Sequence, residues 1–335
     1  MILVTGGLGF IGTHVVRSLL DSGESCVLAQ RRAGELPGML AAPAAGAGAG
    51  AAAEAGSADG PRAVLEQLDV ADRAALLDLG ARHQITGIVH LADSALGPDG
   101  PIGNVRKGIG GLLNILEAAA EWGVARVSIA SSIGVYGGLD ERVLQEDMLL
   151  PLASGHSIVT FKKVEEILAD YLGPATGLDV VSCRIAGIWG PLGRPASAFV
   201  AAPQLVHAAA RGTVPDFSTL RMPAYAESGI DLCYAKDCGR AIALLQTAEH
   251  LNHRVYNVGS GRVTTNGEVA AAVRAVVPDA NVDLPTATDD GSFDFIKDVC
   301  LDITRLSQDT GFTPEYDCER AVADYIAWLR AGNER

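Results

Sequence analysis

Residues able to do chemistry gather in two stretches of this 335-residue chain. The first is Thr5-Gly6-Gly7-Leu8-Gly9-Phe10-Ile11-Gly12, which directly follows the apolar run Ile2–Thr5 and opens an amphipathic segment. Glycines in that setting suit a dinucleotide: Gly6 allows a tight turn, Gly9 lets the backbone approach a pyrophosphate, and Gly12 permits close helix–strand packing. The phosphates then meet the free N–H groups of the helix start that carries Phe10 and Ile11, where the helix dipole favours negative charge. Eighteen residues after Gly12 a second strand ends in Ala29-Gln30-Arg31-Arg32. An acid at this place suits a ribose 2′-hydroxyl and an arginine suits a 2′-phosphate, so Gln30, Arg31 and Arg32 point to NADP rather than NAD. Asp69 and Val70, after a third strand, are placed to recognise adenine, and Leu91 and Ala92, at the end of the fourth strand, are further candidate cofactor contacts.

The second stretch carries groups for proton transfer: Ser132 and Tyr136 in SSIGVYG, then His156 and Lys162, with Glu166 four residues after Lys162. Lys162 and Glu166 share one face of a helix, and His156 has an ordinary pKa near neutrality. Asp93 and Ser94 stand at the carboxyl end of the fourth strand, the edge at which α/β proteins bind ligands. Arg184, Arg194 and Arg221 are the candidate anion contacts of the substrate region in a chain of net charge −14.

Strands alternating with helices position these residues. Apolar runs at 2–5, 25–29, 87–92, 126–130 and 180–185 are separated by helical patterns at 12–20, 105–122 and 160–172. This alternation predicts an α/β fold, a Rossmann-type doubly wound parallel sheet with a smaller C-terminal α/β lobe for substrate. Residues 1–184 form the dinucleotide domain, 229–260 return to it, and 185–228 with 261–335 form the lobe. A closing helix is expected over 317–330. The Ala/Gly-rich stretch at about 40–60 has too little side-chain burial to offset its ordering entropy and reads as a flexible insertion.

Composition excludes several classes. The acidic balance argues against a nucleic-acid or anionic-membrane surface. No apolar run reaches the roughly 18 residues needed to span a bilayer. Nor does a charged and apolar leader precede the first strand, so the expected location is the cytoplasm. The six cysteines show neither a CxxC pair nor metal-ligand spacing and read as reduced thiols, with no metal expected.

TGGLGFIG, LDV at 68–70, IVHLAD at 88–93, LLNILEAAAEWGVARVSIASS at 112–132, VYG at 135–137 and RIAGIWGP at 184–191 together resemble the extended short-chain dehydrogenase/reductases, the NAD(P)-dependent epimerase/dehydratase-like family. YNVGSG at 256–261 and LDITRLSQDTGF at 301–312 extend the resemblance over the whole chain. It implies a homodimer built from two long helices, and a catalytic Ser, Tyr and Lys, with the Lys four residues after the Tyr. The phenol would move a proton while hydride moves at the nicotinamide, and the Lys would bind nicotinamide ribose and lower the phenol pKa.

Ser132 and Lys162 match that pattern, but the tyrosine position holds Ile158, and a frame on Lys163 places Val159 there. Asp93, Tyr136 and His156 are the candidate replacements. His156 serves only if the helix begins late, because two residues along a helix turn a side chain about 200° away. The diphosphate-binding Arg that the resemblance implies falls on Ile230, a second one falls near Asp289-Asp290-Gly291, and Gly108 stands where an Asn is usual. Three functions stay open: a reductase, dehydrogenase or epimerase of a small hydroxyl or carbonyl compound, a sugar or secondary metabolite; a non-redox enzyme or nucleotide sensor; and a non-catalytic interaction subunit.

Overall fold

A computed structural model of the chain describes residues 1–41, 62–92, 98–285 and 298–334. Most of the 40–60 insertion, together with Asp93, Ser94 and Asp289-Asp290-Gly291, lies outside the described residues. The chain runs β1 (Ile2–Thr5), α1 (Phe10–Asp21), β2 (Cys26–Gln30), α2 (Gly38–Ala41), β3 (Ala63–Gln67), α3 (Arg73–Arg82), β4 (Gly87–His90) and α4 (Gly100–Trp122). It continues through β5 (Val127–Ser132), β6 (Val143–Leu144), α5 (Ser157–Thr176), β7 (Val180–Ile185), β8 (Gly187–Trp189), α6 (Ala202–Arg211) and β9 (Gly229–Tyr234). It closes with α7 (Ala235–Thr247), β10 (Val255–Val258), β11 (Val263–Thr265), α8 (Asn266–Val276), β12 (Cys300–Leu301), α9 (Thr304–Thr310) and α10 (Cys318–Arg330).

Seven strands form one parallel sheet in the order β10-β7-β5-β4-β1-β2-β3, the doubly wound arrangement expected. Side chains alternate across it, as the period of two requires. Ile2, Val4 and Leu28 join a core with Val15, Leu19, Ile242 and Leu245 from α1 and α7. Leu3, Val27 and Ile88 face the other way, toward Leu76 and Leu79 of α3 and Leu112 and Ile115 of α4. Both sheet faces are therefore covered, and the strands read as continuous apolar runs.

Within residues 235–260, α7 packs against α1 and β10 pairs with β7. Strand β9 forms a separate three-stranded sheet between β8 and β11, while its Cys233 packs in the core shared with α1 and α7. The buried carboxylate of Asp231 fixes this junction by accepting the N–H groups of Ser260 (2.7 Å), Gly261 (3.1 Å) and Leu301 (3.1 Å). Its neighbour Ile230 is thereby held at the seam between domain and lobe. The lobe has its own core, in which Trp189, Tyr234 and Tyr325 pack edge to face among α6, α8 and α10. All six cysteines are free thiols. Among the described residues no helix is long and apolar enough to cross a membrane.

Candidate functional site

The glycine loop adopts the geometry its sequence demands. Gly6 sits at φ +70°, and a Cβ on Gly12 would stand 2.1 Å from the Gly6 carbonyl oxygen, so no other residue fits there. Gly9 caps α1 without a side-chain hydrogen bond, and the first helical bond runs from Thr13 N–H to Gly9 O (3.0 Å). The N–H groups of Phe10, Ile11 and Gly12 thus have no intrahelical acceptor and form a built anion cradle. Thr5 Oγ1 accepts from Leu91 N and Ala92 N, each at 3.2 Å, drawing the end of β4 against the loop. With its amide turned to satisfy its neighbours, Gln30 accepts from Gly7 N at 3.0 Å, while Arg31 and Arg32 are exposed. Asp69 pairs with Lys107 (3.0 Å), and the Val70 carbonyl accepts from Asn114 (2.9 Å), so α4 steadies the adenine side. These residues fit a dinucleotide along the carboxyl edge of β1, β2 and β3.

The second cluster gathers at the carboxyl ends of β5 and β7. Ser132 ends β5, and its Oγ accepts from Gly134 N (3.1 Å), capping the short 3₁₀ turn Ile133–Tyr136. Helix α5 starts at Ser157, so His156 lies outside the helix as its N-cap. The condition that the helix begin late is met. His156 Nδ1 accepts from Ile158 N (3.3 Å), which places the proton of the neutral ring on Nε2. Desolvation, then the Arg221 charge, lowers its pKa from the ordinary value of 6.5. Ser132, His156 and Ile158 line one pocket of about 230 Å³ with Ile133, Ile188, Ser197, Phe199, Val200 and Ile230. The Phe199 ring stands edge-on to His156 with centroids 6.1 Å apart, and the Arg221 guanidinium lies 5.4 Å from the Phe199 centroid.

Two expected site residues belong elsewhere. Tyr136 is 1% exposed, and its hydroxyl donates to Asn257 Oδ1 (2.8 Å) while accepting from Arg184 (2.9 Å). Burial pushes this phenol up to about 12. Arg184 is buried as well, paired with Glu166 at 2.8 Å and bonded to the Glu146 carbonyl at 3.1 Å. Tyr136, a candidate proton-transfer group, and Arg184, a candidate anion contact, are both held inside a polar clamp that Ser131 joins through Glu166. The clamp ties β5 to α5, β7 and β10, and thereby sets Ser132 opposite the start of α5. Arg194 is exposed on the loop after β8. Lys162 is buried one turn beyond Ile158, with Nζ donating to Glu165 at 2.8 Å. Phe161 explains Gly108: a Cβ there would stand 2.0 Å from the Phe161 ring, which fills the room an asparagine would take.

Sequence reasoning missed Phe199, Ile188, Val200 and Ser197 because they lie in short or irregular segments with no periodic pattern. The clamp had one visible trace, Glu166 four residues after Lys162.

Fold and motif agree with the comparisons. The model of the NAD-dependent epimerase/dehydratase family matches residues 2–259, and the chain belongs to that family. A dTDP-glucose 4,6-dehydratase of Actinoplanes sp. is 27% identical over 344 residues, covering 98% of both chains. A UDP-glucose 4-epimerase of Azospirillum brasilense is 25% identical over 346 residues, covering 98% of this chain and 92% of the relative. Among solved structures, a UDP-N-acetylglucosamine 4-epimerase of Methanobrevibacter ruminantium superposes with a TM-score of 0.77 at 21% identity, covering 99% of this chain and 98% of the other. The dTDP-glucose 4,6-dehydratase of Bacillus anthracis, solved with NAD, gives a TM-score of 0.74 at 20% identity, covering 99% and 97%.

Proposed function

We propose that this protein is an NAD(P)-linked enzyme acting on a hydroxyl or carbonyl carbon of a small substrate, with His156 handling the proton that a tyrosine phenol handles in the family pattern. The observation that carries the reading is His156 at the N-cap of α5, in one pocket with Ser132 and Ile158. The glycine loop holds the dinucleotide, whose nicotinamide supplies hydride chemistry. Ser132 keeps its O–H for a substrate oxygen, because the cap bond to Gly134 uses only a lone pair. His156 lines the same pocket, and with Nδ1 accepting from Ile158 N its neutral ring carries the proton on Nε2. N–H and O–H donors of this kind hold the negative charge that develops on a carbonyl oxygen during reduction. To act as the acid the ring first takes a proton from solvent on Nδ1, which opens the 3.3 Å cap bond; the imidazolium then delivers its Nε2 proton to the substrate oxygen and ends as the Nδ1–H tautomer. In oxidation the same ring takes the hydroxyl proton as the carbonyl forms.

The finer cofactor assignment is NADP, supported by exposed Arg31 and Arg32 beside Gln30 with no acid at the strand end. A homodimer through α4 and α5 is supported by Ile102, Val105, Leu113, Ile167 and Tyr171, which stand exposed on these two helices. Light scattering should give twice the chain mass, and Tyr171→Lys with Ile167→Lys should halve it.

The deciding experiment offers NADPH deuterated at C4 with carbonyl substrates and looks for label in the product. Stereospecific label that drops on His156→Gln, with NADPH affinity unchanged, supports the reading. Product formed without label favours the non-redox enzyme that Ile158 also suits.

A further inference from the structure

The positions at which this chain departs from the family pattern are far apart in sequence, yet the fold brings two of them into one wall. Ile158 comes from α5 and Ile230 from β9, and both line the pocket that holds Ser132 and His156. One replaces a phenol and the other a guanidinium, and the replacement is the same apolar side chain. Around them stand Ile133, Ile188, Phe199 and Val200.

The polar groups are few and come mainly from one side. Ser132 and His156 project from the Rossmann domain, whereas Ile188, Val200 and Ile230 belong to the lobe side. Ser197 also borders the pocket, but its Oγ already accepts from Phe199 N (3.1 Å) and Val200 N (3.2 Å). No lysine or arginine lines the pocket among the described residues. A sugar ring carries a hydroxyl on nearly every carbon, and each one buried without a partner opposes binding. A diphosphate needs cations, with arginine its usual bidentate partner.

We infer that the substrate carries an apolar body, an alkyl or aromatic ring system, beside its reacting hydroxyl or carbonyl, with that body seated against Ile158, Ile188, Val200 and Ile230. This rests on the reading of Ser132 and His156 as the groups that meet the reacting oxygen. The polar end of such a molecule meets the Rossmann side and its ring meets the lobe. Ile158 then acts as a specificity residue, presenting a hydrocarbon surface where a phenol would present a hydroxyl.

Binding is measured apart from turnover. NADPH-loaded protein is titrated with cyclohexanone, glucose and UDP-glucose, and saturation-transfer NMR reads the contact. Cyclohexanone should show saturable contact, the two sugars none, and Ile230→Arg should weaken cyclohexanone about tenfold. Ile188→Ser, a milder change on the neighbouring strand, should weaken it in the same direction and keeps the test valid if the arginine variant does not fold. A silent cyclohexanone titration, UDP-glucose contact that outcompetes cyclohexanone, or unchanged affinity in both variants overturns the inference. Deuterium transfer to bound cyclohexanone is scored separately. Contact without transfer sinks the hydride reading and leaves the substrate class standing.

Discussion

The glycine loop and the pocket that holds Ser132 and His156 sit at the carboxyl edge of the same sheet, but they preserve different things. In the loop, residue types and geometry agree at every step, from Gly6 at φ +70° to a Gly12 that tolerates no side chain. In the pocket the scaffold survives: Ser132 is capped, and the buried clamp of Ser131, Glu166, Arg184 and Tyr136 holds β5 to α5. What the pocket wall presents is apolar: Ile158 and Ile230 stand at the two positions where the family resemblance implies a phenol and a guanidinium. A conformational requirement admits one residue, whereas a pocket wall admits any side chain whose volume and polarity suit its occupant.

The sharpest way to break this contrast is to damage the loop. Gly12→Val should reduce NADPH binding by more than about a hundredfold, since its side chain must displace the Gly6 carbonyl that shapes the cradle. An NADPH fluorescence titration checks it, with circular dichroism reporting the fold.

Next comes the scaffold beneath the pocket. Arg184→Met leaves Glu166 as a buried carboxylate without its partner, at an expected cost of about 3–5 kcal/mol in urea unfolding. Arg184→Met combined with Glu166→Leu should recover much of that loss. A single variant as stable as the parent would show that the clamp is dispensable.

The chemistry itself should be separable from both. His156→Gln is expected to lower the rate of the reductive step about a hundredfold while NADPH affinity and thermal midpoint stay near the parent values. A smaller effect follows at the ribose end, where Arg31→Ser with Arg32→Ser should cut the preference for NADPH over NADH by about tenfold.

The smallest expected effect is on pH. Desolvation and the Arg221 charge lower the His156 pKa, so the imidazolium that serves as acid in reduction is present only below a midpoint lying under 6.5. The reductive rate should therefore fall as pH rises through that midpoint. Arg221→Gln removes a cation and should move the midpoint upward, toward the ordinary imidazole value. An immobile midpoint would assign the proton to another group.

Most of the sheet was legible because each strand is an apolar run and each helix an amphipathic one, and these patterns record burial directly. The observed β1 and β7 coincide with the expected 2–5 and 180–185. That β9 would pair in a sheet of its own was not legible, since an apolar segment shows that it is buried but not which neighbour buries it. Tyr136 and Arg184 misled for a related reason: a polar side chain reads as functional until its partners are known, and theirs are 121 and 18 residues away.

The sequence alone determined the fold class, the glycine cradle and the absence of a phenol at position 158, because each depends on residues adjacent along the chain or on one backbone conformation. Only the tertiary structure decided where α5 begins relative to the pocket, which polar groups are consumed in the clamp, and that Ile158 and Ile230 share a wall. Those outcomes depend on contacts between segments distant along the chain, and no local pattern encodes which of them will meet.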